Sequence, residues 1–182
     1  MPGDIVIDAG AYLGYFSILA AKKVGKNGIV IAFEPSPSNF TVLKERVVKS
    51  GLTNIIQVNK ALYNKNGRAF FSKEISSNSI LKNQKAHIDD VEVESVTLDD
   101  ELSSMGISKI NFIKMDIEGN EIEALEGGTK TFNNTKNFAI ACYHKRNNKI
   151  TGEILSPVFK NMGFKTSIGF SLHPTLYGSK LS

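Results

Sequence analysis

The chain has 182 residues and a formal net charge of +4, long enough to bury roughly two thirds of its unfolded surface as one domain without a disulfide or metal. Its lysines are scattered, so the charge permits an anionic partner without indicating one. No signal peptide or apolar run near the ~18 residues of a membrane span is present, and the single Cys142 fits a reducing compartment, so we expect a cytoplasmic protein.

The first predicted strand and helix enclose a glycine turn. Residues 5–7 form an unbroken β-branched run, which predicts a strand buried on both faces of a parallel sheet. Asp8, Gly10 and Gly14 follow it, and residues 15–24 carry one apolar helical face. A strand, a tight turn and a helix leave backbone N–H groups and the positive end of a helix dipole facing the crevice above the sheet, where a small anionic group can bind.

The spacing of the glycines favours a nucleoside ligand without phosphates. A dinucleotide site needs Gly-x-Gly-x-x-Gly, whose second glycine lets the backbone approach a pyrophosphate. Tyr12 occupies that position here, which disfavours a nicotinamide dehydrogenase. S-adenosylmethionine suits the turn, since it has adenosine at one end and an amino-acid carboxylate at the other. Asp8, Gly10, Tyr12 and Gly14 are therefore candidate cofactor-binding residues, although such a turn can also be purely structural.

A second site signal follows the second predicted strand, Ile29–Phe33. Glu34 ends it about twenty residues past the glycine turn, where an acid can accept hydrogen bonds from both ribose hydroxyls. A carboxylate at a strand tip can also be merely solvated. A helix follows through about residue 49, and residues 54–59 predict a third strand whose end would flank adenine, which makes Ala61 a candidate adenine contact.

Beyond the third strand the alternation of strand and helix breaks. Residues 61–63 and 68–72 flank an Asn-Lys-Asn-Gly turn and predict a β-hairpin. The polar residues 73–87 predict a mobile loop over the site. A strand at 91–98 then leads into a short helix capped by Asp99.

The fourth core strand, Ile110–Met115, delivers two acids. Asp116 and Glu118 share one face in extended geometry, and the next residue is a glycine that permits a turn. Asn120 and Glu123 resemble a capping box, which predicts the start of another helix. Two carboxylates therefore emerge at the end of an apolar strand.

The remaining chain predicts a fifth core strand and an antiparallel closure of the sheet. Residues 138–143 form an apolar strand that ends in His144. A helix at 151–162 follows, and residues 164–170 and 175–181 predict two closing strands. We find no repeat and no second domain.

These blocks together resemble the FkbM-type family of S-adenosylmethionine-dependent methyltransferases. The matching blocks are Val-Ile-Asp-Ala-Gly-Ala-Tyr-Leu-Gly-Tyr-Phe-Ser at 6–17, Ile-Ala-Phe-Glu-Pro-Ser-Pro-Ser-Asn-Phe at 31–40, Val-Thr-Leu-Asp-Asp at 96–100 and Phe-Ile-Lys-Met-Asp-Ile-Glu-Gly-Asn-Glu at 112–121. The resemblance implies one domain over 1–182 with an α/β, three-layer Rossmann-like class I methyltransferase fold. Its mostly parallel seven-stranded sheet would have an antiparallel C-terminal hairpin and a small β-hairpin insertion. It also implies methyl transfer, usually to a hydroxyl oxygen.

The resemblance also assigns roles to matching positions. It implies that the turn at 10–14 holds the methionine part of the cofactor, that Glu34 holds the ribose and that Asp116 lies at the mouth of the methyl-transfer cleft. Two features depart from the family. Lys60 precedes Ala61 where an acid would hold adenine, and the family's upstream segment is missing, so we expect a form without an N-terminal lid.

The expected chemistry is an in-line displacement of a methyl group from a sulfonium. Alignment of the reactants can supply roughly 7–11 kcal/mol, and removal of the acceptor's proton contributes about 10²–10⁴-fold. Asp116, Glu118 and His144 project from the ends of neighbouring strands, and each is a candidate base. His144 can instead be a strand-end residue beside a solvated Lys-Arg pair, and Glu118 can support the turn or cap the helix. With one cysteine in the chain, we predict no metal site.

Three functions remain open on this basis. The first is an O-methyltransferase acting on a small molecule or glycan. The second is a nucleic-acid methyltransferase, which we consider unlikely because Asp116-Ile-Glu-Gly replaces the Asn/Asp-Pro-Pro-aromatic stretch of base methylases and no stacking stripe is evident. The third is a cofactor-binding module without turnover. We expect no membrane partner, and the oligomeric state cannot be read from the sequence.

Overall fold

The computed structural model describes residues 1–71, 90–146 and 148–180. The strands in chain order are β1 (Ile5–Ala9), β2 (Ile29–Phe33), β3 (Ile55–Val58), β4 (Ala61–Leu62), β5 (Gly67–Phe71), β6 (Val91–Val96), β7 (Ile110–Met115), β8 (Thr135–Ala141), β9 (Lys145–Arg146), β10 (Lys149–Ile150), β11 (Lys165–Gly169) and β12 (Thr175–Ser179). The helices are α1 (Tyr15–Val24), α2 (Pro37–Ser50), α3 (Leu98–Ser104), α4 (Glu121–Glu126), α5 (Thr129–Asn133) and α6 (Thr151–Asn161). The predicted mobile loop at 73–87 lies outside the described residues.

Seven strands form the central sheet, in the order β11-β12-β8-β7-β1-β2-β3. Neighbours from β8 to β3 pair in parallel, whereas β12 is antiparallel to both β8 and β11. Ala9 is in register with Phe33 and Met115, and Met115 is in register with Ile140. The residues that follow β1, β2, β7 and β8 therefore lie along one edge of the sheet, where ligands of open α/β sheets bind.

Helices cover both faces of the sheet, because the central strands are apolar on both faces. Ile7 and Ile31 pack into one cluster with Leu155 and Phe159 of α6. The alternate residues of β1 and β2 pack into a second cluster with Leu43 of α2 and with α1. The predicted three-layer, mostly parallel sheet with an antiparallel C-terminal hairpin is thus confirmed.

An aromatic group anchors α5 and α6 to β8. The ring centroid of Phe159 lies 4.1 Å from that of Phe138 and 5.1 Å from that of Phe132, and the Phe164 ring lies 4.9 Å from Phe138. Phe159, Phe132 and Phe138 are fully buried. Such large buried rings dominate the packing of a core of this size.

Replacing Phe159 by alanine is therefore expected to destabilise the fold strongly. Loss of the buried ring and the cavity left behind should lower the free energy of unfolding by about 3–5 kcal/mol, measured by urea denaturation. The adjacent Val158 is 42% exposed, and Val158→Ala should stay within roughly 0.5 kcal/mol. Equal losses for the two variants would contradict the assignment of Phe159 to the core.

The insertion between β3 and β7 differs from the prediction. The hairpin expected between 61–63 and 68–72 is wrong, since β4 and β5 do not pair with each other. β6 lies between them, parallel to β4 and antiparallel to β5. The predicted turn instead faces α3, because Asn66 accepts a hydrogen bond from the N–H of Thr97 and donates one to Asp100. The longer β6 offers a full partner to the five-residue β5, which the two-residue β4 cannot provide.

The predicted cap of α3 is also wrong by two positions. Thr97 is the N-cap, and its hydroxyl accepts a hydrogen bond from the N–H of Asp100. The Asp99 carboxylate instead accepts the N–H groups of Lys130 and Thr131 at the start of α5. Thr and Asp are both common N-cap residues, but Asp99 caps α5 and not α3, the helix in which it lies.

Among the described residues, no helix has both the length and the apolar character needed to cross a bilayer.

Candidate active site

The glycine turn after β1 passes very close to the end of β7. The N–H groups of Gly10 and Ala11 both donate to the carbonyl oxygen of Phe33, at 3.0 and 2.9 Å. Gly10 has φ +78°, and a Cβ at this position would overlap the backbone carbonyl oxygen of Asp116. Only glycine fits, both because of its left-handed backbone and because of this close approach.

Helix α1 begins directly after this turn, and no side chain forms a capping hydrogen bond at its first residues. Gly14 is the N-cap, no side chain bonds the first turn, and the first turn contains no acidic residue. The helix has ten residues, and its positive end is therefore not neutralised by its own side chains. An anionic ligand group is favoured at such a terminus.

Glu34 joins the second strand to the glycine turn. One carboxylate oxygen accepts the N–H of Tyr12 at 2.8 Å, and the other accepts the N–H of Ser36 at 2.9 Å and the Asn39 amide at 3.4 Å. Asn59 fixes the backbone, since its amide donates to the carbonyl oxygen of Glu34 at 2.8 Å. Burial raises the pKa of Glu34, and the two backbone N–H groups oppose that shift. The acid predicted to hold ribose thus lies directly at the predicted turn.

Lys114, which the sequence analysis did not identify, supports the same turn. Lys114 lies 3.0 Å from the carboxylate of Asp8 and donates to the carbonyl oxygen of Gly10 at 2.7 Å. Asp8 is fully buried and also accepts the hydroxyl of Ser17 at 2.6 Å. Asp8 and Lys114 are opposite one another in the β1–β7 register. The sequence shows a lysine inside an apolar strand, but only the register of β1 and β7 identifies Asp8 as its partner.

Asp116 follows β7 at the edge where Gly10 passes. Its N–H donates to the carbonyl oxygen of Ala9 at 3.0 Å, and its carboxylate accepts the hydroxyl of Tyr143 at 3.3 Å. Burial and the neighbouring Asp116 charge raise the pKa of Tyr143, so the phenol keeps its proton. The Tyr143 ring also contacts the rings of His144 and His173, at centroid distances of 4.1 and 4.2 Å.

Glu118 and His144 are brought together, with a third acid that the sequence analysis missed. Nε2 of His144 lies 3.2 Å from the Glu118 carboxylate, and its Nδ1 lies 3.4 Å from that of Glu121. His144 is a strand-end residue beside the Lys-Arg pair, as one alternative expected, and it is buried between these acids. Glu121 shares the buried face of α4 with Ala124 and Leu125, a helical spacing that would have revealed it.

The expected capping box at the start of α4 does not form. Asn120 is the N-cap but makes no side-chain cap hydrogen bond, and Glu123 instead contacts Arg146 at 3.1 Å. Arg146 also donates to the carbonyl oxygen of Gly119 at 2.9 Å. The carboxylate of Glu121 accepts the N–H of Gly119 at 3.0 Å and so closes the turn.

Ala61 lies apart from this group. Its side chain is buried in the small cluster of the insertion with Ala69 and Val93, and the preceding Lys60 pairs with Glu94 and Glu101. The structure thus brings together the glycine turn, Glu34, Asp116, Glu118 and His144, but directs the side chain of Ala61 elsewhere.

Comparisons with known proteins extend this description. The chain is 28% identical to the hexuronic acid methyltransferase AglP of Haloferax volcanii over 142 residues, 78% of this chain and 56% of the relative. The structure of methyltransferase FkbM from Methylobacillus flagellatus matches with a TM-score of 0.71 at 18% identity, over 96% of this chain and 43% of that one. This chain therefore spans about half the length of these two relatives.

A more distant structural match and a family model complete the comparison. Fibrillarin from Aeropyrum pernix, solved with natively bound S-adenosyl-L-methionine, matches with a TM-score of 0.63 at 9% identity, over 97% of this chain and 66% of that one. The family model described as the methyltransferase FkbM domain matches residues 8–166, which include every strand and helix from α1 to α6. The chain therefore belongs to the FkbM family of S-adenosylmethionine-dependent methyltransferases, and S-adenosylmethionine is its cofactor.

Proposed function

We propose that this chain is the methyltransferase domain of an enzyme that methylates a hydroxyl oxygen on a sugar or another small molecule. The observation that carries the proposal is the hydrogen bond from the N–H of Tyr12 to the Glu34 carboxylate. It joins the acid expected to hold a ribose to the turn expected to hold an amino-acid tail. One nucleoside with an amino-acid tail can then contact both at once.

The residues at this edge fit S-adenosylmethionine chemically. The uncapped start of α1 suits the amino-acid carboxylate, and the turn at 10–14 has no side chain at Gly10 to obstruct it. Glu34 uses three of its roughly four acceptor positions within the chain, which leaves capacity for a ribose hydroxyl. When bound, the cofactor supplies an electrophilic methyl group on a sulfonium.

The chain's own contribution to methyl transfer is alignment and proton removal. Asp116 follows β7 where Gly10 comes closest, so a group bound over the turn also lies beside Asp116. An acceptor hydroxyl held here must lose a proton to a nearby base. Asp116 and Glu118 are both partly exposed carboxylates at this edge, and each can accept that proton.

In this proposal, the loop beside Tyr143 forms one side of the acceptor-binding site. The loop between β11 and β12 exposes Phe170 and Leu172 and lines an open surface pocket of about 470 Å³. His173 of the same loop contacts the ring of Tyr143, whose hydroxyl bonds Asp116. Apolar side chains beside carboxylates suit a sugar ring, which has an apolar face and polar edges. The name of the relative AglP, a hexuronic acid methyltransferase, supports a sugar acid as the class to test first.

Glu34→Gln is expected to weaken cofactor binding by roughly 10- to 100-fold, because hydrogen bonds to a charged acceptor contribute about 1.5–3 kcal/mol each. Isothermal titration calorimetry with S-adenosylhomocysteine measures this change. The matched control is Glu45→Gln on the exposed side of α2, which should bind as the unmodified chain does. An unchanged affinity in Glu34→Gln would remove the ribose role from Glu34.

The reaction itself is tested with radiolabelled S-adenosylmethionine and a panel of acceptors. Methyl glycosides of hexuronic acids, neutral methyl glycosides and a structured RNA form the three arms. Label transferred to a glycoside hydroxyl supports the proposal. Label transferred to RNA alone would contradict it in favour of a nucleic-acid methyltransferase. Binding of the cofactor with no transfer to any arm would favour a module without turnover.

A further inference from the structure

Three side chains from two neighbouring segments form a single charged group at the carboxyl edge of the sheet. Glu118 and Glu121 come from the segment after β7, and His144 comes from the segment after β8. Both carboxylates contact the imidazole, at 3.2 and 3.4 Å. The backbone carbonyl of His144 accepts the N–H of Thr151 at the start of α6, at 2.7 Å, so the backbone of His144 is fixed as well.

The burial of this group indicates which member is exposed to substrate. Glu121 is fully buried and His144 nearly so, whereas the Glu118 side chain is 44% exposed. A buried carboxylate is costly unless a positive charge lies beside it. Within the described ranges, one oxygen of Glu121 has no hydrogen-bond partner, and the imidazole lies beside the other oxygen, which also accepts the N–H of Gly119. Glu118 alone faces solvent.

The backbone at Glu118 points to the same residue. Glu118 has φ +55°, a left-handed conformation that is uncommon for a residue with a side chain. Sparsely populated conformations of this kind persist where the surroundings hold them, often at functional sites. Here the hydrogen bond from His144 holds the carboxylate, and the bond from the N–H of Gly119 to Glu121 fixes the next peptide.

We propose that Glu118 receives the proton of the acceptor hydroxyl and that His144 and Glu121 are positioning residues that hold its carboxylate. This inference rests on the proposed function and assigns a base within it. As the acceptor oxygen forms a bond to the methyl carbon, the carbon–sulfur bond breaks and its electron pair remains on sulfur. The acceptor's proton passes to a carboxylate oxygen of Glu118. The His144 ring keeps its own proton throughout.

His144 is therefore not the base that the sequence suggested as one option. Its Nε2 donates to Glu118, and its Nδ1 faces Glu121 through charge, without a well-aligned hydrogen bond in the part of the chain that the structure describes. Burial alone lowers the pKa of His144, but the close contact with the negatively charged Glu121, followed by the hydrogen bond and charge of Glu118, raises it above the ordinary value of 6.5. Asp116 keeps its separate contact with Tyr143.

The groups in contact with the imidazole are Glu118, Glu121 and the Tyr143 ring. Tyr143 in turn contacts Asp116 and His173 of the β11–β12 loop, and the Arg146–Glu123 ion pair joins the same two segments of the chain. A raised pKa in the folded state means that this pairing stabilises the fold fully below the ordinary value of 6.5 and that the contribution is lost as pH rises through the folded value. The stability advantage of the wild-type chain over Glu121→Gln, measured as the difference in melting temperature, should therefore shrink as pH rises through the folded pKa of His144.

Two readouts test the inference. Long-range proton–nitrogen NMR of the imidazoles, with His144→Gln used for assignment, should show a His144 titration midpoint above the ordinary value of 6.5. Glu121→Gln should lower that midpoint, because it removes the adjacent negative charge. With the acceptor identified by methyl transfer, Glu118→Gln should lower kcat by about 10²–10⁴-fold while S-adenosylhomocysteine affinity stays unchanged. Glu121→Gln should shift the alkaline limb of the kcat profile to lower pH, because His144 loses its proton there.

The matched control is Glu153→Gln, an exposed acid in the first turn of α6, which should leave kcat and the titration unchanged. Wild-type kcat in Glu118→Gln, or a His144 midpoint that does not move in Glu121→Gln, would overturn the inference. Either result would leave the proposed function standing. That proposal fails separately, through absence of cofactor binding by the wild-type chain.

Discussion

Gly10→Ala is expected to lower methyl transfer by at least about 100-fold, because displacements near 1 Å at a reacting centre have effects of this size. The new Cβ would overlap the carbonyl oxygen of Asp116, so either the turn or the end of β7 must move. Both lie under the proposed cofactor. The left-handed backbone at Gly10 adds strain of roughly 1–2 kcal/mol for a residue with a side chain. Calorimetry with S-adenosylhomocysteine and single-turnover methyl transfer measure the two consequences.

Gly25→Ala is a control that separates the effect of backbone strain from the effect of steric overlap by the new Cβ. Gly25 also has a positive φ, +69°, in a region that is essentially restricted to glycine, but a Cβ there meets no atom within 4 Å. It follows α1 at the opposite end from the turn. Gly25→Ala should lose roughly 1–3 kcal/mol of stability and keep wild-type cofactor affinity. If Gly10→Ala also bound the cofactor normally, the close approach of the turn to β7 would have no role in the site.

Lys114→Met is expected to lower the free energy of unfolding by about 3–5 kcal/mol, because it leaves a buried charge without its partner. The partner is Asp8, which is fully buried and 3.0 Å from the lysine nitrogen. The same change removes the hydrogen bond to the carbonyl of Gly10, so cofactor affinity should fall as well. Urea denaturation and calorimetry on one sample measure both effects.

A double-mutant cycle isolates the effect of the unpaired Asp8 charge on stability. Adding Asp8→Asn to Lys114→Met removes the unpaired carboxylate, and the amide oxygen can still accept the hydroxyl of Ser17. The double variant should therefore be more stable than Lys114→Met alone. Lys109→Met, an exposed lysine just before β7, should change stability by less than roughly 0.5 kcal/mol. A double variant less stable than both single variants would contradict a compensated ion pair.

The core of the sheet could be predicted because its signals are local. Ile29–Phe33 and Ile110–Met115 are apolar runs with clear ends, and the observed strands have these same bounds. The insertion could not be predicted in the same way. Whether residues 61–62 pair with β5 or with β6 depends on where the chain returns after a long intervening segment, and the turn residues alone do not specify that.

The residues of the site also fall into those that could be predicted from the sequence and those that could not. The glycine turn and Glu34 carry their own sequence spacing, so their proximity could be inferred. Lys114 becomes informative only once β1 and β7 are in register and Asp8 is known to be opposite it. Glu121 is recognisable only as a charged residue on the buried face of a helix, and the predicted capping box directed attention to Glu123 instead. The sequence pattern alone does not determine contacts between segments that are distant in sequence.

The central claim is that one nucleoside contacts both the turn after β1 and the acid after β2. A crystal structure of the chain with S-adenosylhomocysteine tests it most directly. We predict ribose hydroxyls within hydrogen-bond distance, about 2.5–3.2 Å, of the Glu34 carboxylate, with the amino-acid carboxylate at the start of α1. A cofactor bound with its ribose away from Glu34, or with its amino-acid end away from the glycine turn, would contradict the account.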